Sequence, residues 1–231
     1  MSRDLQRLIV VATEEEAKYI FNEHNFIEKY NINGYTVHVL ESFDGVAIGF
    51  AVLGIAKVTF CIGVQILIDK FNPKEIVSLG FAGGLSESLA INDICIGISS
   101  FQYDIVSSYR KNIDEDSLEY RRKKTYNSNH AFVNAIVTQL NDFVLKDSVV
   151  LTGDNFASDK EALPPIDDTV YYIVDQETAA FYQAAHYANI DYITIKVVTD
   201  LCNINSKNDY KNNMNPAAML LFQLFNKLVA K

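Results

Sequence analysis

Three features of the sequence predict an α/β fold. Apolar strand-like runs alternate with helix-like segments along the chain, and residues 192–198 are almost without polar interruption, as expected of a strand buried on both faces. With 231 residues, 49% of them hydrophobic and only four prolines, the chain can bury one large core and shows no linker-like break. A single three-layer α/β/α domain over residues 1–231 is therefore expected, with helices covering both faces of the sheet. There is no internal repeat and no low-complexity segment.

The elements follow in order. Residues 8–12 read as a buried strand, and Thr13 is placed to N-cap a helix from about 14 to 25. Residues 35–40 and 46–53 look like neighbouring strands joined near Asp44-Gly45, a turn signal. After Gly54-Ile-Ala-Lys57 a helix runs to about Phe71, with Val58, Cys61, Ile62, Gln65, Ile66 and Ile68 expected to form its apolar face. Residues 75–79 are the next strand, and Gly80-Phe-Ala-Gly-Gly-Leu85 reads as a turn. The second half repeats the pattern: extended at 94–99, helical at 130–140, extended at 147–151 and 171–174, helical from 178 to about 189, extended at 192–198. A final amphipathic helix is expected from about 216 to 228, with Pro216 in its first turn, where a missing N–H costs little.

Charge excludes some partners. A net charge of −9 disfavours nucleic acid, which is bound by lysine and arginine neutralising phosphates. The one basic cluster, Arg121-Arg-Lys-Lys124, follows Asp114-Glu-Asp116 and reads as solvated loop within a polar surface excursion from about 107 to 129. Cys61, Cys95 and Cys202 are odd in number and widely spaced, which indicates neither a disulfide framework nor a zinc site and fits the cytoplasm. No leader-like segment opens the chain and no apolar run is long enough to span a membrane, so a soluble protein is expected.

Several familiar site patterns are missing: no phosphate loop, no G-x-G-x-x-G after the first strand, no G-x-S-x-G and no H-E-x-x-H. His24, His38, His130 and His186 have no nucleophile or metal partner in sequence and read as structural. What stands out is acidic. Glu16, Glu177 and Asp200 each lie where an apolar run gives way to a loop or helix, and strand ends are where α/β proteins collect ligands. Each also has an ordinary use: Glu14-Glu-Glu16 as an acidic first helical turn, Glu177 likewise, and Asp200 as a helix cap. Phe156 on pattern alone reads more readily as core, and the glycines after residue 79 equally as a tight turn without a ligand.

Six segments in order carry a resemblance: Glu14-Glu-Glu16, Gly54-Ile-Ala-Lys57, Gly80-Phe-Ala-Gly-Gly84, Thr152-Gly-Asp-Asn-Phe156, Val174-Asp-Gln-Glu177 and Val198-Thr-Asp200. Together, from about residue 8 to residue 228, the chain resembles the nucleoside phosphorylase and hydrolase family, and within it the 5′-methylthioadenosine/S-adenosylhomocysteine nucleosidases. The resemblance implies a nucleoside phosphorylase-like fold with a central mixed sheet, a purine nucleoside as small-molecule partner, no cofactor and no metal. It implies that Glu16 helps position the attacking water, Glu177 grips ribose hydroxyls and Asp200 protonates purine N7. Phe156 matches the aromatic that stacks on the base, with Ala157 beside it, and Ile55 an apolar contact. Thr199 replaces a serine, Gln176 stands where the nucleosidases carry methionine, and Phe81 occupies a position where serine or threonine is common. A homodimer is expected by the same resemblance, with the segment 102–106 like the part that completes a neighbour's pocket.

The chemistry fits those residue types. Cleaving an anomeric carbon from a purine nitrogen builds positive charge on the sugar and negative charge on the base, so a protonated acid is needed at one end and carboxylates at the other. Water on the opposite face predicts inversion at the anomeric carbon. From residue 8 to residue 109 there is no arginine; the resemblance implies that the family's phosphorylases carry phosphate-binding arginines in that stretch, which favours hydrolysis over phosphorolysis. Three other readings stay open: a futalosine-type hydrolase, a nucleoside phosphorylase, and a nucleoside-binding protein without turnover.

Overall fold

The computed structural model describes residues 4–42, 44–105, 124–167 and 169–230. Ten strands are present among them: β1 (Arg7–Val11), β2 (Glu28–Ile32), β3 (Tyr35–Glu41), β4 (Ala47–Val52), β5 (Glu75–Gly84), β6 (Ile94–Gln102), β7 (Tyr126–Asn127), β8 (Leu145–Thr152), β9 (Tyr171–Asp175) and β10 (Asp191–Asp200). The helices are α1 (Glu14–Glu23), α2 (Lys57–Phe71), α3 (His130–Gln139), α4 (Thr178–Tyr187) and α5 (Ser206–Val229).

All ten strands belong to one mixed sheet. β4, β1, β5 and β10 are parallel neighbours, and the meander β2-β3-β4 extends one edge in antiparallel fashion. At the other side β10 pairs antiparallel with β6, β6 runs parallel to β8, and β8 to β9. β9 then returns to the far end of β5, where Gly83 and Gly84 face Val174 and Ile173. β5, β10, β6, β8 and β9 thus close into a ring, with the long β5 shared between ring and open sheet.

Side-chain alternation sorts the core into two layers. Ile9 and Val11 of β1, Val77 and Leu79 of β5, and Ile193, Ile195 and Val197 of β10 pack under α1, α3 and α5. Leu8, Val10 and Ile76 point the other way, toward Phe60, Val64 and Leu67 of α2 and Phe181 of α4. Each such fully buried side chain contributes roughly 1.5–3 kcal/mol, so strand register is strongly specified.

Four local expectations are corrected. β2, with its half-buried alternation, is an edge strand that the apolar pattern does not reveal. α2 buries Phe60, Gly63, Val64, Leu67, Ile68 and Phe71, while Val58 and Ile62 stay exposed; β-sheet contact selects the phenylalanine-bearing stripe of a helix that is apolar almost all round. The glycine segment after residue 79 is no turn, since β5 runs straight through Gly84. The last helix begins at Ser206, leaving Pro216 inside it. Its polar opening is held by tertiary bonds: Asn213 donates to the Thr199 carbonyl, and Asn215 accepts from Lys18 and the Tyr19 hydroxyl. Most of the expected 107–129 excursion, with Arg121 and Arg122, lies outside the described residues.

Candidate active site

Glu16, Glu177 and Asp200 line one cleft at the carboxyl ends of β1, β9 and β10. Ile55, Phe81, Phe156, Ala157, Gln176 and Thr199 line it as well. All nine candidate site residues therefore reach this cleft.

Glu16 is the third residue of α1 and completes a capping box. Its amide donates to Thr13 Oγ1 at 3.2 Å, while its Oε2 accepts from the backbone N–H of Ala12 and of Thr13, both at 2.8 Å. Its Oε1 accepts from the Phe81 N–H, also at 2.8 Å, so the carboxylate bridges α1 and β5. Capping and site placement are one arrangement here. Burial raises the Glu16 pKa, opposed by the Lys196 cation and by these three N–H donors.

Gly80 makes room for this. A Cβ there would sit 2.7 Å from Glu16 Oε1 and 3.0 Å from Lys196 Nζ, so the glycine serves close approach rather than a turn.

Lys196 is the cation of the site, in the middle of β10 and sealed from solvent. Its Nζ lies 2.9 Å from Asp175 Oδ2 and 3.9 Å from Glu177 Oε2. Burial disfavours its charge, but Asp175, Glu177 and Glu16 outweigh that and hold its pKa above the usual lysine range. Asp175 is anchored in turn by the Thr152 hydroxyl at 2.7 Å and by Thr178.

Glu177 precedes α4 and accepts from the Ala56 N–H through Oε1 at 3.0 Å. Burial pushes its pKa up to about 7; Lys196 opposes this, while Asp175 and Glu16 reinforce it. Asp200 ends β10 just after a β-bulge that breaks the register between Val198 and Asp200. Its Oδ1 accepts from the Cys202 N–H at 3.1 Å and its Oδ2 lies 3.3 Å from the Thr199 hydroxyl. Burial raises its pKa against these donors, which moves it toward carrying a proton.

The apolar wall is aromatic. Tyr210 of α5 meets Phe81 edge-on at 6.2 Å and Phe156 at 5.8 Å between ring centroids. Phe156 remains 39% exposed, so one ring stays open to a ligand rather than buried in the core. Such a half-apolar hollow with a few convergent polar groups suits a small ligand.

A family model described as the phosphorylase superfamily matches residues 6–230. The chain belongs to the phosphorylase superfamily. A 5′-methylthioadenosine/S-adenosylhomocysteine nucleosidase of Bacillus cereus is 24% identical over 225 residues, which is 91% of this chain and 92% of the relative. One from Buchnera aphidicola is 28% identical over 201 residues, covering 83% and 82%. Among solved structures, an S. pneumoniae nucleosidase of the same description with a transition-state inhibitor superposes with a TM-score of 0.84 at 22% identity, over 99% of both chains. Futalosine hydrolase of Helicobacter pylori superposes with a TM-score of 0.83 at 19% identity, over 97% of both. These superfamily structures share the fold.

Residue-by-residue reading missed Lys196, Asp175 and Tyr210. A lysine inside an otherwise apolar strand was the available signal for the first, because such a charge needs a buried partner. Tyr210 carried none, since it lies in a polar segment that does not look helical. Among the described residues no group of three or more His, Cys, Asp or Glu is spaced to hold a metal, and no helix is long and apolar enough to cross a membrane.

Proposed function

We propose that this superfamily member hydrolyses the N-glycosidic bond of a purine nucleoside, foremost 5′-methylthioadenosine/S-adenosylhomocysteine, and releases adenine. The convergence of Glu16, Glu177 and Asp200 on one cleft carries the reading. Asp200, held toward its protonated form by burial, donates to purine N7 and neutralises the departing base. Phe156 stacks on the base, with Ala157 and Thr199 beside it. Glu177 in its ionised form accepts from ribose hydroxyls and places negative charge near the developing cation, while Ile55, Phe81 and Gln176 bound the sugar and its 5′ substituent. Glu16 orients water on the opposite face, which gives inversion.

Electrostatics favour water over phosphate as nucleophile. The cleft brings Glu16, Asp175, Glu177 and Asp200 together, and Lys196, the cation beside the first three, is already committed to Asp175. A phosphate dianion there would meet uncompensated negative charge. Arg7, the only arginine among the described residues, is engaged elsewhere by Glu75, Gln139 and the Leu228 carbonyl.

The buried ring of Phe81 in the cleft favours a second reading, a futalosine-type hydrolase, because an apolar residue there suits a different sugar substituent. The test is incubation with a nucleoside panel that includes futalosine, with and without phosphate, identifying released base and sugar. Free adenine and free sugar in both arms support the proposal. Ribose 1-phosphate would move the protein to the phosphorylases, and binding without base release would make it a nucleoside-binding protein.

The reading extends to one domain over residues 1–231, a cytoplasmic location in keeping with three free cysteines, and a homodimer. Ile55, Val58 and Ile62 form an exposed apolar strip beside the cleft mouth, which supports a second copy there. Of the segment 102–106 expected to reach a neighbour, Val106 lies outside the described residues.

A further inference from the structure

α2 starts without a cap of its own. Its N-cap, Ala56, offers no side-chain acceptor and the first turn holds no acidic residue, so the leading N–H groups need acceptors from elsewhere. Two distant carboxylates supply them. Ala56 donates to Glu177 Oε1 and Lys57 to Asp154 Oδ1, each at 3.0 Å.

The Ala56 peptide is held in an unusual conformation. At φ 77 and ψ 154 it occupies a region that belongs essentially to glycine, and such strain persists only where the surroundings over-determine it. The surroundings here are a closed ring of charge. Lys57 Nζ lies 2.6 Å from Asp104 Oδ1 and 3.6 Å from Asp154 Oδ2, and the Asp154 N–H donates to Asp104 Oδ2 at 3.0 Å. Gln176 Nε2 adds a bond to the Asp154 carbonyl at 2.7 Å. Lys57 and Asp104 are largely buried, so their pair is little screened by solvent, whereas Asp154 is half exposed and acts mainly through the N–H bond it accepts. Three cleft-lining loops, those bearing Ile55, Phe156 and Glu177, are tied together in this way.

The geometry points to Lys57 as a positioning residue: its ion pairs with Asp104 and Asp154 hold the strained Ala56 peptide with its N–H on Glu177. This rests on the role given to Glu177 above. Without the ammonium group, the Asp104 and Asp154 carboxylates repel each other and the ring opens. The Ala56 peptide then relaxes to a common conformation and withdraws its N–H, leaving Glu177 misaligned and less stabilised as an anion.

The test compares Lys57→Met and Lys57→Arg in the intact protein by two measurements. The first is kcat and KM for adenine release from 5′-methylthioadenosine. The second follows the Glu177 carboxyl by carbon-13 NMR through pH, assigned with Glu177→Gln. The titratable groups facing Glu177, namely Lys196 on β10, Asp175 at the end of β9, Glu16 on α1 and Tyr210 on α5, are unchanged in both variants. Lys57→Met is expected to lower kcat by about 10²-fold, the scale of a small misplacement, with KM changed less. It should also move the Glu177 midpoint upward, and Lys57→Arg should restore most of both. An unmoved midpoint with unchanged kcat/KM overturns the inference. If the wild-type protein cleaves no nucleoside, the functional reading falls and the titration decides alone: an upward shift supports the Lys57 role and an unmoved midpoint overturns it. If Lys57→Met does not fold, Asp104→Asn breaks the same pair from the other side and is read by the same criteria.

Discussion

Lys196 Nζ lies 2.9 Å from Asp175 Oδ2 with both side chains closed to solvent, and this pair anchors the carboxylates around it. Removing one partner of a buried pair leaves the other charge uncompensated, at a cost of about 3–5 kcal/mol. Lys196→Met should therefore lower the urea midpoint at pH 7 well beyond what a surface lysine change does. An unfolding curve that superimposes on the wild type would dismiss Lys196 as the counter-charge of this site.

Asp200→Asn removes the proton donor while keeping an acceptor for the Cys202 N–H. Base release should fall by about 10²–10⁴-fold, the usual contribution of a general acid, with the circular dichroism spectrum unchanged. Near-normal turnover in the folded variant would remove Asp200 from the mechanism.

Glu177 predicts a pH dependence of stability. Its pKa stands at about 7 in the folded protein against 4.5 for the free side chain, so between those values the native state holds more protons than the unfolded chain. Its stabilising contribution is complete below 4.5 and is lost as the pH rises through about 7. Thermal midpoints of ligand-free wild type and Glu177→Gln, measured across that range, should converge or cross accordingly. Parallel curves would show that Glu177 is not held above its ordinary value.

Gly80→Ala tests the close approach. With a Cβ 2.7 Å from Glu16 Oε1, the carboxylate must shift, and the bond from the Phe81 N–H weakens with it. We expect kcat/KM to drop by about 10²-fold, following the sensitivity of reacting groups to displacement on the order of 1 Å. Full activity in this variant would mean that the position of Glu16 does not govern the reaction.

Much of this is legible in the amino-acid sequence. The order of strands and helices follows apolar periodicity, and Thr13 with Glu16 spells a capping box within four residues. The acidic strand ends could be marked because each follows its own apolar run. The rest is hidden where local pattern is silent or ambiguous. α2 is apolar on too many sides for periodicity to choose its buried face, and the first half of α5 looks like loop because its helix is stabilised by Asn213 and Asn215 reaching other segments. The glycines of β5 resemble a turn, yet what they accommodate is neighbouring side chains, Glu16 and Lys196 at Gly80 and Cys202 at Gly83.

By itself the sequence determined the α/β layering, the capped start of α1 and the presence of carboxylates at three strand ends, because hydrophobic alternation and capping act between residues a few positions apart. Contacts across the fold make Lys196 the counter-charge of Glu16, Glu177 and Asp175, join Tyr210 to Phe81 and Phe156, and hold Ala56 against Glu177. Those contacts join segments far apart in the chain, such as Phe81 with Glu16 across 65 positions and Ala56 with Glu177 across 121. They exist only once β1 lies beside β5 and the ring of β5, β10, β6, β8 and β9 closes, since a buried charge selects its partner by distance in space rather than along the polypeptide.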